Sequence, residues 1–198
     1  MDTEFWLERW KKNEIGFHGA DVQPALAKNW DKLGIPKGVR VFVPLCGKSL
    51  DMEWLARQGY VVVGAELSEL AVDQFFAERA LTPSVGDRGG FKVKRTGAYE
   101  IWCGDFFALD ATAIAAAAGY DRAALVAMPP GMQPRYAAKM AELMPQGSKT
   151  LLVGLDYDQA EMQGPPFATS QARVRALFGE TFDVSLVDAR EGLAKGDS

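Results

Sequence analysis

The sequence predicts an α/β fold, a three-layer sandwich in which helices cover both faces of a mostly parallel central sheet. Segments typical of strands alternate along the chain with segments typical of helices, which is the order found in wound α/β sheets. The central strands, predicted at residues 39–43, 61–65, 123–128 and 150–155, are continuous apolar runs. Such runs, unlike alternating ones, indicate parallel strands that are buried on both faces.

The first half of the chain carries clear helix and strand signals. The strand at 39–43 is followed by a predicted helix over 50–58, which Gly59 ends. After the strand at 61–65, Ser68 is expected to cap a helix whose apolar face is formed by Ala71, Val72, Phe75 and Phe76. Residues 1–35 precede these elements and predict a helical extension rich in tryptophan.

The second half continues the alternation with shorter elements. Segments 91–93 and 99–103 predict a hairpin around Thr96 and Gly97. Asp110 is expected to cap a short alanine-rich helix that stops at Gly119, before the strand at 123–128. Pro134 and Ser170 mark the starts of two further helices, one on each side of the strand at 150–155, and a last strand is predicted at 182–187.

Length and charge narrow the possible classes of protein. The chain has 198 residues, enough for one sizeable core, so we predict a single domain over 1–198 with a helical lid at 1–35 and an α/β core at 36–198. The formal charge of −4 lacks the basic footprint of a nucleic-acid binder. Because no apolar run approaches a membrane span and the first residues do not resemble a signal peptide, we expect a cytoplasmic protein without a membrane partner. A monomer is the default expectation.

The counts of histidine and cysteine exclude several kinds of site. The chain has one histidine, His18, and two cysteines, Cys46 and Cys103, with no CxxC motif. A multi-histidine metal site and a disulfide scaffold are therefore not expected, and we predict no metal.

The loops that follow the predicted strands are the expected ligand site, because open parallel sheets bind ligands beyond the carboxyl ends of their strands. The loop at 44–49 ends in Gly-Lys-Ser, but a phosphate-binding P-loop requires glycine where this chain has Phe42. No GxGxxG motif is present either. Without a phosphate cradle, the pattern favours a nucleoside ligand that needs no phosphate contact, and S-adenosylmethionine fits that description.

Two carboxylates are candidates for contacts with such a nucleoside. Glu66 ends a strand 19 residues beyond Gly47, where a carboxylate accepts hydrogen bonds from ribose hydroxyls. Asp105 follows another strand and is suited to accept from an exocyclic amine, with Phe106 or Phe107 packing on a flat ring. The alternatives are a surface acid before a helix for Glu66 and an ordinary loop acid for Asp105.

Six ordered blocks of sequence resemble the thiopurine S-methyltransferase family, especially its bacterial branch. The resemblance runs from about residue 5 to about residue 190, and the blocks lie at 5–10, 15–18, 43–49, 64–69, 120–125 and 164–167. It implies the fold of class I, Rossmann-like methyltransferases, S-adenosylmethionine as cofactor, and methyl transfer to the sulfur of aromatic or heterocyclic thiols. For bacterial members it further implies selenium and tellurium acceptors and tellurite resistance.

The same resemblance implies roles for individual residues. The cofactor contacts of the family fall on Trp10, Leu45, Glu66 and Arg122, and its adenine-binding stretch falls on Asp105 and Phe106. Phe17 matches a position on the substrate side.

Several of these side chains have a second interpretation from the residues alone. Trp10 and Trp6 share a helix face, so they suit core packing as well as a cover over the cofactor. Arg122 suits pairing with the cofactor carboxylate, promotion of a thiolate acceptor, or a structural pair with Asp121. His18 is a candidate proton acceptor or a structural histidine. The alternative function is a protein that binds the nucleoside without turnover.

The chain departs from the family at its end. Family members continue with a further segment and an antiparallel last strand, which is not seen in this sequence. We therefore expect the edge of the fifth core strand to be unpaired and the acceptor site to be affected more than the cofactor site.

Overall fold

A seven-stranded sheet organises the computed structural model, which describes residues 3–16 and 18–190. Its strands are β1 (Arg40–Val43), β2 (Val61–Glu66), β3 (Ser84–Arg88), β4 (Phe91–Thr96), β5 (Tyr99–Cys103), β6 (Ala118–Asp121) and β7 (Lys149–Leu152). The spatial order is β3-β4-β5-β2-β1-β6-β7. The neighbouring pairs β5–β2, β2–β1, β1–β6 and β6–β7 are parallel, whereas β3, β4 and β5 form an antiparallel meander.

Helices connect the strands and cover the sheet. They are α1 (Thr3–Lys12), α2 (Pro24–Asn29), α3 (Leu50–Arg57), α4 (Glu69–Glu78), α5 (Ala111–Ile114), α6 (Gln133–Leu143) and α7 (Gln171–Phe178). Side-chain caps form where the sequence predicts them, since Ser68 accepts from the N–H of Ala71 and Ser170 from that of Arg173. After β1 the chain continues to β2 on one side of it and later returns to place β6 on its other side. Ligands of such sheets bind near this change of direction, so a cleft is expected between β1 and β6.

Two hydrophobic clusters cover the opposite faces of the sheet. Successive residues of a strand point to opposite faces, and accordingly Phe42 belongs to one cluster and Val41 to the other. The first cluster contains Trp102 and Tyr136, while the second contains the fully buried Trp30 of the N-terminal extension. The predicted three-layer α/β sandwich with a mostly parallel sheet and a helical N-terminal extension is thus confirmed.

A buried carboxylate anchors the N-terminal extension to the sheet. Asp51, in the first turn of α3, accepts the backbone N–H of Gln23 at 2.7 Å through Oδ1. Its Oδ2 accepts the hydroxyl of Tyr120, the third residue of β6, at 2.8 Å. Asp51 is only 2% exposed, and burying a carboxylate without partners costs free energy. The two bonds satisfy the carboxylate and thereby fix the chain just before α2.

The strand predicted at 123–128 is wrong. The fourth parallel core strand is β6 at Ala118–Asp121, and residues 125–127 form a buried 3₁₀ turn instead. The alanine-rich helix is correspondingly shorter than predicted, since α5 ends at Ile114. Gly119 belongs to the strand, where it pairs with Thr150 of the neighbouring β7. A Cβ at this position would lie 2.6 Å from Oγ1 of Thr150, so the pairing leaves no room for a side chain.

The strand predicted at 182–187 is also wrong, because residues 183–190 carry no regular secondary structure. This segment instead returns to the N-terminal extension, where Asp188 accepts from Nζ of Lys28 at 3.0 Å and from Nδ2 of Asn29 at 3.3 Å. Among the described residues, β7 is therefore the outermost strand on its side of the sheet.

No helix within 3–16 and 18–190 has both the length and the apolar composition needed to span a membrane.

Candidate cofactor cleft

A cleft opens at the carboxyl ends of β1, β2 and β5. Four of the residues predicted to hold the cofactor line it together: Leu45, Glu66, Asp105 and Phe106. Leu45 follows β1, Glu66 is the last residue of β2, and the other two follow β5. Parallel strands bring these loops to one edge of the sheet although they are distant in sequence.

Glu66 is a buried carboxylate with two backbone donors. Its Oε2 accepts the N–H of Gly47 at 2.8 Å, and its Oε1 accepts the N–H of Ser68 at 2.8 Å. Burial raises the pKa of Glu66, while the amides of Ser68, Gly47 and Leu67 act in the opposite direction. A carboxylate has about four acceptor positions. With these amides bound, the Glu66 carboxylate still keeps acceptor capacity for a ribose hydroxyl.

Asp105 and Phe106 begin the turn that follows β5. Oδ1 of Asp105 accepts the N–H of Phe107 at 2.9 Å, which shapes the turn and leaves Oδ2 as a further acceptor. Phe106 is 5% exposed and stacks against Tyr136 with ring centroids 5.1 Å apart. Phe106 is therefore both a core residue and one wall of the cleft.

The loop after β1 adopts an unusual backbone. Leu45 has a φ of 47° and Gly47 a φ of 51°, both in the left-handed region that side chains disfavour. Between them, Cys46 is buried against the sheet, and burial raises the pKa of its thiol well above the ordinary value. Cys46 is accordingly a packing residue and not a reactive thiolate.

Trp10 contacts the β1–α3 loop and does not line the cleft directly. A Cβ on Gly47 would lie 3.0 Å from Cζ2 of the Trp10 indole, so the ring packs closely on the glycine. Thr3, at the other end of α1, lines the cleft. Helix α1 therefore extends from the mouth of the cleft to the loop that Glu66 holds.

Arg122 immediately follows β6 and is not among the residues that line the cleft. Its Nη2 would be 3.3 Å from a Cβ on Gly19, so the guanidinium packs against the N-terminal extension beside His18. The carboxylate of Asp121 accepts from the N–H of Ala124 at 3.0 Å and from the hydroxyl of Tyr136 at 2.6 Å. These bonds hold the buried Asp121 carboxylate against the turn that follows β6.

The predicted substrate residue Phe17 lies outside the described residues. Its neighbour His18 is half-buried, and burial followed by the nearby Lys48 lowers the pKa of His18. A lowered pKa leaves its imidazole neutral near pH 7.

Six further residues line the cleft that sequence reasoning did not single out: Thr3, Ala65, Leu67, Gly104, Met132 and Arg135. Ala65, Leu67 and Gly104 adjoin residues that were predicted, so their positions at the strand ends could have identified them as cleft residues. Met132 and Arg135 come from the start of α6, where no motif marks them. Only the packing of α6 against the turn after β5 brings them to the cleft.

The donor and acceptor set of this cleft fits a nucleoside. The buried Glu66 suits a ribose diol, Asp105 suits an amine at the edge of a base, and Leu45, Leu67 and Phe106 supply apolar contact for a flat ring. The close contact between Gly47 and the Trp10 ring leaves little room for a side chain at position 47.

Comparison with known proteins shows which sequences this chain resembles. The sequence model of the family described as Thiopurine S-methyltransferase (TPMT) matches residues 1–197. A thiopurine S-methyltransferase from Azotobacter vinelandii is 52% identical over 98% of this chain and 89% of its own length. One from Pseudomonas fluorescens is 49% identical over 100% of this chain and 90% of its own length.

A solved structure supports the fold assignment. A SAM-dependent methyltransferase from Anabaena variabilis superimposes with a TM-score of 0.66 at 12% identity, over 89% of this chain and 80% of that one. At this identity the likeness concerns the fold alone, a class I, Rossmann-like arrangement.

Proposed function

Because this chain belongs to the thiopurine S-methyltransferase family and is an S-adenosylmethionine-dependent methyltransferase, we propose that its acceptor is the sulfur of an aromatic or heterocyclic thiol. The family supports the acceptor class, and the observation that carries the cofactor part of the proposal is the cleft that Leu45, Glu66, Asp105 and Phe106 line at the carboxyl edge of the sheet. The alternative of a binding protein without turnover is set aside, because the relatives are methyltransferases over nearly the whole chain.

In this proposal, each residue of the cleft has a distinct task toward the cofactor. Glu66 accepts the ribose hydroxyls, Asp105 accepts the exocyclic amine of the adenine, and Leu45 and Phe106 contact the flat base. Support comes from the two backbone amides that fix the Glu66 carboxylate before any ligand binds. A fixed acceptor loses little conformational entropy on binding.

The reaction requires little acid–base chemistry from the protein. When bound, S-adenosylmethionine supplies an activated methyl group on a sulfonium, and a thiolate is a strong nucleophile. The task of the chain is to align the acceptor sulfur with that methyl group and to exclude water. The neutral His18 and the buried Cys46 are compatible with such a mechanism.

The N-terminal extension, residues 1–35, acts in this proposal as a lid on the core formed by residues 36–198. Thr3 lines the mouth of the cleft, and Trp10 packs on Gly47, so α1 is in position to cover a bound cofactor. Trp10 then acts through the loop that Glu66 holds, and Phe17 contributes to the acceptor pocket.

Arg122 is proposed to orient the acceptor and not the cofactor. Its guanidinium packs against Gly19, two residues after Phe17, and it is not among the residues that line the cleft. A permanent cation at this position would favour the thiolate form of an acceptor and hold it near the lid.

Selenium and tellurium species, with a role in tellurite resistance, extend the proposed acceptor range. A lid-covered pocket that favours a soft, anionic sulfur nucleophile would favour the heavier chalcogen anions for the same reason. We further propose a cytoplasmic monomer that acts on small molecules without nucleic-acid partners, which the formal charge of −4 supports.

Two measurements on the purified chain test the proposal. Calorimetry with S-adenosylhomocysteine should give saturable binding, and transfer of a labelled methyl group to 6-mercaptopurine should give the S-methyl product. Binding without any methylated thiol, selenol or tellurium product would contradict the acceptor class while leaving the cofactor cleft intact. No binding would contradict the assignment of the cleft itself.

A further inference from the structure

Helix α6 contributes a cation to the cofactor cleft. Arg135, in the first turn of α6, lines the cleft together with residues from the strand ends. Its guanidinium carbon lies 4.1 Å from the centroid of the Phe107 ring. Phe107 in turn adjoins Asp105 and Phe106, the residues proposed to receive the base. The contact with Phe107 therefore places the Arg135 guanidinium at the end of the cleft proposed to receive the adenine.

The backbone that carries Arg135 is firmly held. Its neighbour Tyr136 is fully buried and donates to Asp121 at 2.6 Å. Gln133 is 1% exposed, donates to the carbonyl of Met128 at 3.3 Å and accepts from Nε of Arg173 at 2.8 Å. The start of α6 is thus anchored on both sides of Arg135, while the Arg135 side chain itself remains exposed at the rim.

The charged residues of the cleft indicate what Arg135 can bind. Among the described residues that line it, Arg135 is the one cation, and it faces two carboxylates, Glu66 and Asp105. A guanidinium is planar, so its contact with Phe107 uses one face and leaves a second face for another ring. Arginine planes stack readily on aromatic rings and on nucleobases.

We propose that Arg135 is a cofactor-binding residue that stacks its guanidinium on the adenine ring, with Phe107 as the support behind it. The proposal rests on the cofactor cleft proposed above and adds a contact to the base. Arg135 and Phe106 would then enclose the adenine between a cation and an aromatic wall, while Asp105 reads the amine at its edge.

Calorimetry with two ligands tests this contact. S-adenosylhomocysteine and 5′-methylthioadenosine share the base and ribose, but only the first carries an amino-acid group. The Arg135→Ala variant is expected to bind both ligands about 5- to 30-fold more weakly, the range for a partly desolvated cation–aromatic contact. Arg135→Lys keeps the charge without the plane and should recover only part of the loss.

A matched control lies one turn further along the same helix. Lys139 does not line the cleft and pairs with Glu142 at 2.8 Å, so Lys139→Ala should leave both affinities within about twofold of wild type. Thermal unfolding of every variant separates a loss of fold from a loss of contact, and the exposed Arg135 should be replaceable with little change in Tm.

The possible results separate the two proposals. Equal weakening of both ligands in Arg135→Ala supports the stacking role. Wild-type affinity for both ligands would overturn it. Weakening of S-adenosylhomocysteine alone would overturn it as well, because Arg135 would then contact the amino-acid carboxylate. If the wild-type chain binds neither ligand, the cofactor cleft itself fails, and this contact fails with it.

Discussion

The carboxylate of Glu66 accepts the backbone N–H of Gly47 at 2.8 Å across 19 residues of chain. This bond joins the end of β2 to the loop after β1, and its second oxygen joins the same residue to the start of α4 through Ser68. Glu66 therefore builds the cleft as well as facing into it. A substitution at Glu66 is expected to disturb the loop and the ligand together.

Glu66→Gln tests this double role. A glutamine side chain presents one N–H₂ group, which must face either the Gly47 or the Ser68 amide, so a buried donor loses its acceptor at a cost of about 1–3 kcal/mol. We expect weaker binding of S-adenosylhomocysteine by at least about tenfold, together with a lower Tm. The same substitution at the half-exposed Glu69, which pairs with Lys92, is the control and should change neither. Unchanged affinity and Tm in Glu66→Gln would contradict the account of Glu66.

Gly47→Ala tests the contact between the loop and α1. The left-handed φ of 51° costs a side chain about 1–2 kcal/mol, and the new Cβ would meet the Trp10 ring at 3.0 Å. The variant should lose stability in urea unfolding and bind the cofactor product more weakly. In a Trp10→Leu background the stability loss should shrink by about 0.5 kcal/mol or more, because the steric part is relieved. Gly131→Ala, where no atom lies within 4 Å, is the control, and strict additivity of the two substitutions would argue against the packing contact.

Arg122→Ala tests the assignment of that residue to the acceptor side. The expected result is a fall in kcat/KM for 6-mercaptopurine of about tenfold or more, with the affinity for S-adenosylhomocysteine changed by less than about threefold. The exposed Arg57, at the end of α3, provides the control substitution. If the cofactor affinity falls as much as kcat/KM does, Arg122 contacts the cofactor instead.

Acid stability depends on Glu100 at the start of β5. Burial alone would raise its pKa, but hydrogen bonds from Arg95, Arg40 and Trp102 outweigh burial and lower the pKa of Glu100 to about 2. Because the folded-state pKa lies below the unfolded value near 4.5, the stabilisation is complete above that value. It disappears as the pH falls from about 4.5 to about 2.

Glu100→Gln should therefore lower the free energy of unfolding at pH 7 by about 2–3 kcal/mol, with a difference from wild type that shrinks toward pH 2. Urea unfolding of both proteins between pH 7 and pH 3 measures this. Glu142→Gln, at an exposed site on α6, should show no such pH dependence. A difference that stayed constant with pH would contradict the role of the Glu100 hydrogen bonds.

The parts of the fold that local chemistry specifies could be predicted from the sequence. The apolar runs at β1 and β2 and the cap at Ser68 carry their own signals, and the cleft residues Glu66, Asp105 and Phe106 follow from their positions at strand ends. All of these signals lie within a few residues of the feature that they predict. Leu45 was assigned to the site by the family resemblance.

The errors arose where tertiary contacts override local preference. The alanine-rich stretch before Gly119 favours a helix, yet Ala118–Asp121 forms a strand because it pairs with β1 on one side and β7 on the other. Strand β3 was not predicted because all of its residues are exposed and no alternating apolar pattern marks it. Arg135 reaches the cleft only through the packing of α6, which no spacing in the sequence encodes.

A crystal structure of the chain with S-adenosylhomocysteine tests the central claim most directly. We predict that the ribose hydroxyls hydrogen-bond to the Glu66 carboxylate and that the adenine lies beside Phe106, with its amine near Asp105. Density for the ligand at any other edge of the sheet, or a ribose that makes no contact with Glu66, would contradict it.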